Sequence, residues 1–169
     1  MLKVNLGCGY KPRKGFINCD IISLSHVDKV FDLETSKYPF KDSSVELIIL
    51  EHVMEHLTNI DYVLKECDRI LCDNGTLSIK VPHHSNSGSY QEYHKTHYSI
   101  YSFDFPNWQR KMLSIYLSKR CTKILFERIF FYERFAEWFF NLPKMQVLYE
   151  KTILNSLFPA KTIKYLIRK

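Results

Sequence analysis

The residues of this 169-residue chain whose types and spacing could do chemistry crowd into its first half. Asn5-Leu6-Gly7-Cys8-Gly9 sets two glycines one residue apart, close to the start of the chain. Glycine is what a chain uses where it turns sharply and lets a ligand approach the backbone. Further on, Asp20, Asp32 and Glu51 each close an apolar stretch. A carboxylate so placed can accept hydrogen bonds from hydroxyls or amines, although Asp32 could equally cap the turn that follows it. Histidines come in groups: His52 and His56, then His83 and His84, with His94 and His97 behind them. Imidazole titrates near neutral pH, so His56 and His83 are the candidate general bases. The competing use of any of these histidines is to cap a helix or bind a substrate without moving a proton.

The elements around these residues explain their placement. Val4 and Leu6 alternate with Lys3 and Asn5, the pattern of a strand buried on one face. Tyr10-Lys11-Pro12-Arg13-Lys14-Gly15 is too short and too rich in Pro and Gly for a crossover helix, so a loop leads to a second strand over 16–21. A dinucleotide site wants a third glycine and a helix N-terminus facing a pyrophosphate, and Pro12 stands where that glycine should be. A ligand without phosphates has less need of that helix. A third strand is expected over 29–33. Residues 45–50 form a near-continuous apolar run, as in a central strand covered on both faces. Thr58-x-x-Asp61 reads as a capping box for a helix carrying Ile60, Val63, Leu64, Cys67, Ile70 and Leu71, stopped by Asn74-Gly75. A fifth strand over 76–81 ends at Pro82. The pattern is a parallel α/β sheet, in which ligands sit beyond the carboxyl ends of the strands.

Beyond Pro82 the character changes, and 15 of the 25 aromatic residues lie between Tyr98 and Tyr149. Helices are expected over 106–119, 134–141 and 144–158, and strands over 122–131 and 162–168. Phe126, Phe130, Phe131, Trp138, Phe139 and Phe140 could line a substrate cleft, form a homodimer face, lie against a membrane, or serve as plain core. Charge is asymmetric: residues 109–169 carry 13 Lys and Arg against 4 Asp and Glu, within a net charge of +6. That basic third suits an anionic partner, or is a solvated surface. The basic residues are spread out rather than interleaved as in a nucleic-acid module, so no nucleic acid is expected. Composition, 46% hydrophobic and 25% charged, excludes disorder. Five cysteines without a C-x-x-C pair fit a reducing compartment. No apolar run is long enough to span a membrane, and a strand that begins almost at Met1 leaves no room for a signal peptide. The chain reads as cytoplasmic.

Taken together, the first half resembles the class I S-adenosylmethionine-dependent methyltransferases, over residues 2–84. Asn5-Leu6-Gly7-Cys8-Gly9 is similar to their glycine-rich first motif, and Gly15-Phe16-Ile17-Asn18-Cys19-Asp20 to the second strand with its ribose-binding acid. Phe31-Asp32-Leu33 is similar to the adenine-contacting third strand, and Pro39-Phe40-x-Asp42-x-Ser44 leads into the fourth. Val53-Met54-Glu55-His56-Leu57 and Arg69-Ile70-Leu71-x-x-x-Gly75 match the region after it. The resemblance implies one domain over 1–169, a cofactor half over about 1–84 and an acceptor half over about 85–169. Its fold would be a Rossmann-like, mostly parallel seven-stranded sheet flanked by helices, with an aromatic-rich C-terminal part. It further implies S-adenosylmethionine as cofactor, S-adenosylhomocysteine as product, and cofactor contacts from Asn5, Gly7, Cys8, Gly9, Asp20, Ile21, Asp32, Leu33, Glu51 and His52. Within the family the chain looks like a compact subgroup with a shortened first helix, associated with glycan or polysaccharide pathways. That implies transfer to a hydroxyl oxygen of a small-molecule or saccharide acceptor, which could be lipid-linked. Two positions depart from the family pattern: Asn5 replaces its usual acid, and Lys11 a frequent third glycine.

Two other readings remain. His52-Val53-Met54-Glu55-His56 spells H-x-x-E-H, an inverted zinc-hydrolase motif. That chemistry wants the motif inside a long helix and a third ligand, so the match is read as accidental and no metal ligand is assigned. The other reading is a methyltransferase-like binding or scaffold protein that does not turn over.

Overall fold

The computed structural model describes residues 1–102, 119–126, 138–142, 144–152 and 160–169. Five parallel strands, β1 (Leu2–Leu6), β2 (Ile17–Asp20), β3 (Lys29–Val30), β4 (Val45–Glu51) and β5 (Leu71–Pro82), pair in the order β3-β2-β1-β4-β5. Beyond β5 lie β7 (Ala160–Arg168) and then β6 (Lys119–Phe126), both paired antiparallel. The architecture is therefore mixed α/β with a mostly parallel, Rossmann-like sheet. Its centre is β4, where Val45, Ile48 and Leu50 are inaccessible to solvent. Helix α1 (Ile60–Ile70) lays Val63, Leu64, Cys67 and Ile70 into the same core, as its helical apolar spacing requires.

The local signals mislead at three points. The third strand is confined to Lys29–Val30, and Phe31, Asp32 and Leu33 follow it as irregular chain. The Thr58-x-x-Asp61 capping box does not form. Glu34 Oε1 instead accepts from Thr58 N, Thr58 Oγ1 and Asn59 N at 2.6, 2.7 and 2.6 Å, so a carboxylate from outside the helix has taken the Thr58 hydroxyl. Asn59 caps α1, its side chain accepting from Tyr62 N at 3.4 Å. Nor does Asn74-Gly75 stop the helix. Helix α1 ends at Ile70, and the pair makes a bend inside β5, between Leu71 opposite Val45 and Thr76 opposite Leu47. Asn74 is left-handed there, with φ 64°, and a Cβ on Gly75 would meet Cys72 O at 2.8 Å.

In the C-terminal part, β6 and β7 start earlier than expected, and of the helix expected over 144–158 the described residues show α2 (Met145–Lys151), residues 153–158 lying outside them. Of the helix expected over 106–119, residues 106–118 lie outside the described residues and Lys119 opens β6; residues 134–137 of the next helix also lie outside them, as do Phe130, Phe131 and the side chain of Phe126. Phe140 is core, its ring 4.9 Å from that of Tyr149, and Phe139 packs against that core, whereas Trp138 is 61% exposed. Among the described residues, no helix is long and apolar enough to cross a membrane.

Candidate functional site

Parallel pairing brings the carboxyl ends of β1, β2 and β4 to one edge of the sheet. Between β1 and β4 the strand order reverses, which is where open α/β sheets hold their ligands. Gly7, directly after β1, has φ 66°, and a Cβ there would lie 2.4 Å from Val53 Cγ2. No helix follows. The loop from Cys8 to Phe16 is organised by two buried asparagines instead: Asn5 Nδ2 donates to Asn18 Oδ1 at 3.0 Å and to Lys11 O at 3.4 Å. Asn18 Oδ1 also accepts from Arg13 N at 2.8 Å. Asn5 thus shapes the glycine loop, and a loop built this way has no stacked helical amides to offer a pyrophosphate. Burial, and then the neighbouring Asp20 charge, raise the Cys8 thiol above its ordinary range.

Two clefts open at this edge. One, of about 260 Å³, runs between Asp20, Ile21, Asp32, Leu33 and His56. The other, of about 320 Å³, runs between Asn5, Cys8, Lys11, Arg13 and Glu51. They share Gly7 and His52 as a common wall. Asp20 is nearly buried; its Oδ2 accepts from Gly9 N at 2.7 Å and its Oδ1 from Ile22 N at 3.1 Å. Each oxygen keeps a second acceptor site, so the carboxylate can clamp the glycine loop and still take a ligand hydroxyl. Gly9 itself lines neither cleft and enters through this bond. Asp32 caps its own turn, with Glu34 N and the Thr35 hydroxyl donating at 2.8 and 3.0 Å. Glu51 Oε2 accepts from an Arg13 guanidinium nitrogen at 2.6 Å, which ties the loop to the end of β4.

His52, between the clefts, is a non-glycine residue in the left-handed region, φ 56°. Such backbone persists only where the surroundings impose it. Here His52 N donates to Lys80 O at 2.8 Å, and Nδ1 lies 3.1 Å from Glu55 Oε1. The left-handed turn ends β4, and a single 3-10 turn over Met54–His56 follows. The helix on which H-x-x-E-H would bind zinc is not formed. His56 lines the first cleft, stacked on Tyr93 with 5.4 Å between ring centroids.

His83 faces elsewhere. It is inaccessible to solvent and lines neither cleft. Ser85 N donates to its Nδ1 at 3.2 Å, which leaves Nε2 to donate to Glu150 Oε1 at 2.8 Å. Burial outweighs the Glu150 interaction and lowers the His83 pKa, so the ring is neutral with both nitrogens engaged. Glu150 Oε2 also bonds His84 Nε2 at 2.8 Å, and Ile100 N donates to Oε1 at 3.0 Å. Burial alone would raise the Glu150 carboxyl, but these bonds hold it at about 2. The expectation of His83 as a base at the cleft is corrected by this geometry: the residue belongs to a closed network behind the site.

Sequence reasoning missed Asn18, Arg13, Glu34 and Glu150. Only Asn18 had a local signal, a polar residue inside an apolar strand run. The other three act on partners distant in sequence.

Residues 10–79 match the family model described as a methyltransferase domain. No curated protein matches the chain. Among solved structures, a SAM-dependent methyltransferase from Archaeoglobus fulgidus superposes with a TM-score of 0.64 at 13% identity, over 99% of this chain and 86% of that one. A SAM-dependent methyltransferase of Thermotoga maritima, described as a possible histamine N-methyltransferase, gives 0.62 at 13% identity, over 99% of this chain and 82% of that one. Phosphoethanolamine N-methyltransferase 2 of Haemonchus contortus, in complex with phosphomonomethylethanolamine and S-adenosylhomocysteine, gives 0.57 at 13% identity; this chain is covered to 99% and spans 49% of it. At these identities the structural likeness concerns the fold. With the family match, it supports an S-adenosylmethionine-dependent methyltransferase.

Proposed function

We propose that the chain transfers a methyl group from S-adenosylmethionine to a hydroxyl oxygen of a small-molecule or glycan-type acceptor. The observation that carries the reading is the pair of clefts meeting at Gly7 and His52, with carboxylates from successive strand ends and no phosphate-binding helix. The donor set fits the cofactor, which has a ribose diol, an adenine amine and an amino-acid tail but no phosphate. Asp20 would hold the ribose hydroxyls, Asp32 and Leu33 the adenine edge, and the second cleft the methionine end. There Glu51 meets the ammonium and Arg13 the carboxylate, a division that replaces the family's acid at the Asn5 position. Bound S-adenosylmethionine supplies a methyl group on a cationic sulfonium. The chain's own task is to align the acceptor and to handle the proton of its hydroxyl. His56 faces the first cleft and is assigned to acceptor activation; His83 positions the segment after β5. The basic, aromatic-rich composition of the C-terminal third suits an anionic or lipid-linked saccharide as acceptor, and the chain is read as a cytoplasmic enzyme.

The test is calorimetric titration with S-adenosylmethionine and S-adenosylhomocysteine, on the protein and on Asp20→Ala and Asp32→Ala. Binding on the order of −8 kcal/mol, lost in Asp20→Ala and weakened in Asp32→Ala, is expected. No heat with either ligand from folded protein would overturn the enzyme reading and favour a scaffold.

A further inference from the structure

We propose that Glu55, His56 and His94 form a binding site for a divalent transition-metal ion beside the first cleft. A carboxylate oxygen of Glu55 and one ring nitrogen from each histidine lie within 4.8 Å of one another. Ligands about 2.0–2.2 Å from one ion stand roughly 3–4 Å apart, so small side-chain rotations close the site. A second observation comes from Glu55 itself. The residue is 1% exposed, and its Oε2 is buried without a hydrogen-bond partner among the described residues. A buried carboxylate oxygen next to two imidazoles, with no donor of its own, is placed to take a cation.

The imidazoles are set for ligation. His94 Nδ1 lies 3.1 Å from Ser89 O, and His56 Nδ1 3.4 Å from Tyr93 O. A carbonyl can only accept, so both Nδ1 atoms carry the proton and both Nε2 lone pairs remain available. Ligating histidines are oriented by a backbone carbonyl in this way. The other Glu55 oxygen lies 3.1 Å from His52 Nδ1, which leaves Oε2 as the one without a partner among the described residues. The scaffold is also pinned across the chain: Lys95 N donates to Glu55 O at 2.7 Å, and the Tyr98 hydroxyl to Met54 O at 3.0 Å. His94 is thereby held beside the turn that carries Glu55 and His56. Two nitrogens and one carboxylate oxygen suit a borderline ion such as Zn²⁺ or Co²⁺ better than Mg²⁺. The second His-rich cluster, His83, His84 and Glu150, does not compete. Both Glu150 oxygens already bond the imidazoles, and His83 has both nitrogens engaged.

In use, the site rests on the proposed function: through His56 the ion borders the cleft, where it would bind an acceptor hydroxyl and lower its pKa. Its existence is tested without cofactor or acceptor. The chelator-stripped full-length chain is titrated with Co²⁺, read by visible absorption, and with Zn²⁺, read by calorimetry. Variants are Glu55→Gln, His94→Ala and, for the other cluster, His84→Ala, each checked for folding by circular dichroism. One equivalent of either ion is expected, weakened about tenfold or more by Glu55→Gln and by His94→Ala and unchanged by His84→Ala. Because His94→Ala removes only a half-buried loop side chain, it keeps the test alive if Glu55→Gln does not fold. No binding of either ion, binding retained in His94→Ala, or binding lost in His84→Ala would overturn the proposal. A metal-binding chain that gives no heat with S-adenosylmethionine would instead remove the proposed function and leave the metal site standing.

Discussion

Gly7 offers the most direct check on how the site is built, because two separable costs meet there. Replacing it with alanine puts a side chain on a left-handed residue, φ 66°, at about 1–2 kcal/mol. It also drives the new methyl to 2.4 Å from Val53 Cγ2 and 3.0 Å from Cγ1, an overlap costing about 1–3 kcal/mol in a packed setting. Gly7→Ala should therefore destabilise by about 2–5 kcal/mol. Val53→Ala alone, removing two largely buried methyls, costs about 1.5–2 kcal/mol. In the double variant both clashing atoms are gone and only the backbone cost remains beside the lost methyls. The sum should be about 2.5–4 kcal/mol, a favourable coupling of about 1–3 kcal/mol. Urea unfolding of the four proteins without ligand measures this cycle. Additivity within about 0.5 kcal/mol would refute the reasoning, since it would mean that Val53 is not what excludes a side chain at Gly7.

Two further outcomes concern buried charge away from the clefts. Arg69 is 19% exposed and donates to Glu66 at 2.8 and 2.6 Å, to Asp42 at 2.7 Å, and to the carbonyls of Tyr38 and Phe40 at 3.0 and 2.9 Å. Arg69→Ala strands Glu66 and should cost roughly 3 kcal/mol in urea unfolding, and Arg69→Lys, lacking the planar fork, should recover less than half; a loss under about 1 kcal/mol would mean that the network is only a surface pair. Acid stability reports on Glu150. Its folded carboxyl titrates at about 2, below the ordinary 4.5, so its contribution is complete above pH 4.5 and is lost as pH falls toward 2. The size is on the order of 2–3 kcal/mol. His83 acts in the same direction from higher pH, because its lowered pKa favours the neutral ring and stability drops as pH passes below the ordinary value. The urea midpoint should decline from about pH 6.5 downward, with the segment below pH 4.5 flattened in Glu150→Gln. Equal slopes in both proteins would contradict the assignment.

The parallel half of the sheet was legible because its information is local. Alternation in β1, the apolar run of β4 and the helical spacing of α1 each state which face is buried, and the strand ends then place Gly7, Asp20 and Glu51 on one edge without further evidence. The short loop after β1 told against a phosphate ligand for the same reason: six residues with Pro12 cannot make a helix. The errors came where a local signal had a distant competitor. Thr58 looked like a helix cap, but Glu34 took its hydroxyl. Asn74-Gly75 looked like a helix stop, but pairing to Val45 and Leu47 drew the chain into the sheet before them.

The histidines show the same rule at the site. His56 and His83 had equal standing in sequence, each just past a parallel strand, and what separates them is the group that reaches their ring nitrogens. Ser85 and Glu150 take both nitrogens of His83 and fold it into the core. A backbone carbonyl takes only one of His56 and leaves the other free to bind, in a residue next to Glu55, which has an oxygen unmatched among the described residues. Glu55 could not be singled out from H-x-x-E-H, since the feature that matters is the arrival of His94 from beyond β5. A motif fixes the order of donors along the chain. Whether they face water, a proton or an ion is decided by segments that the motif does not contain.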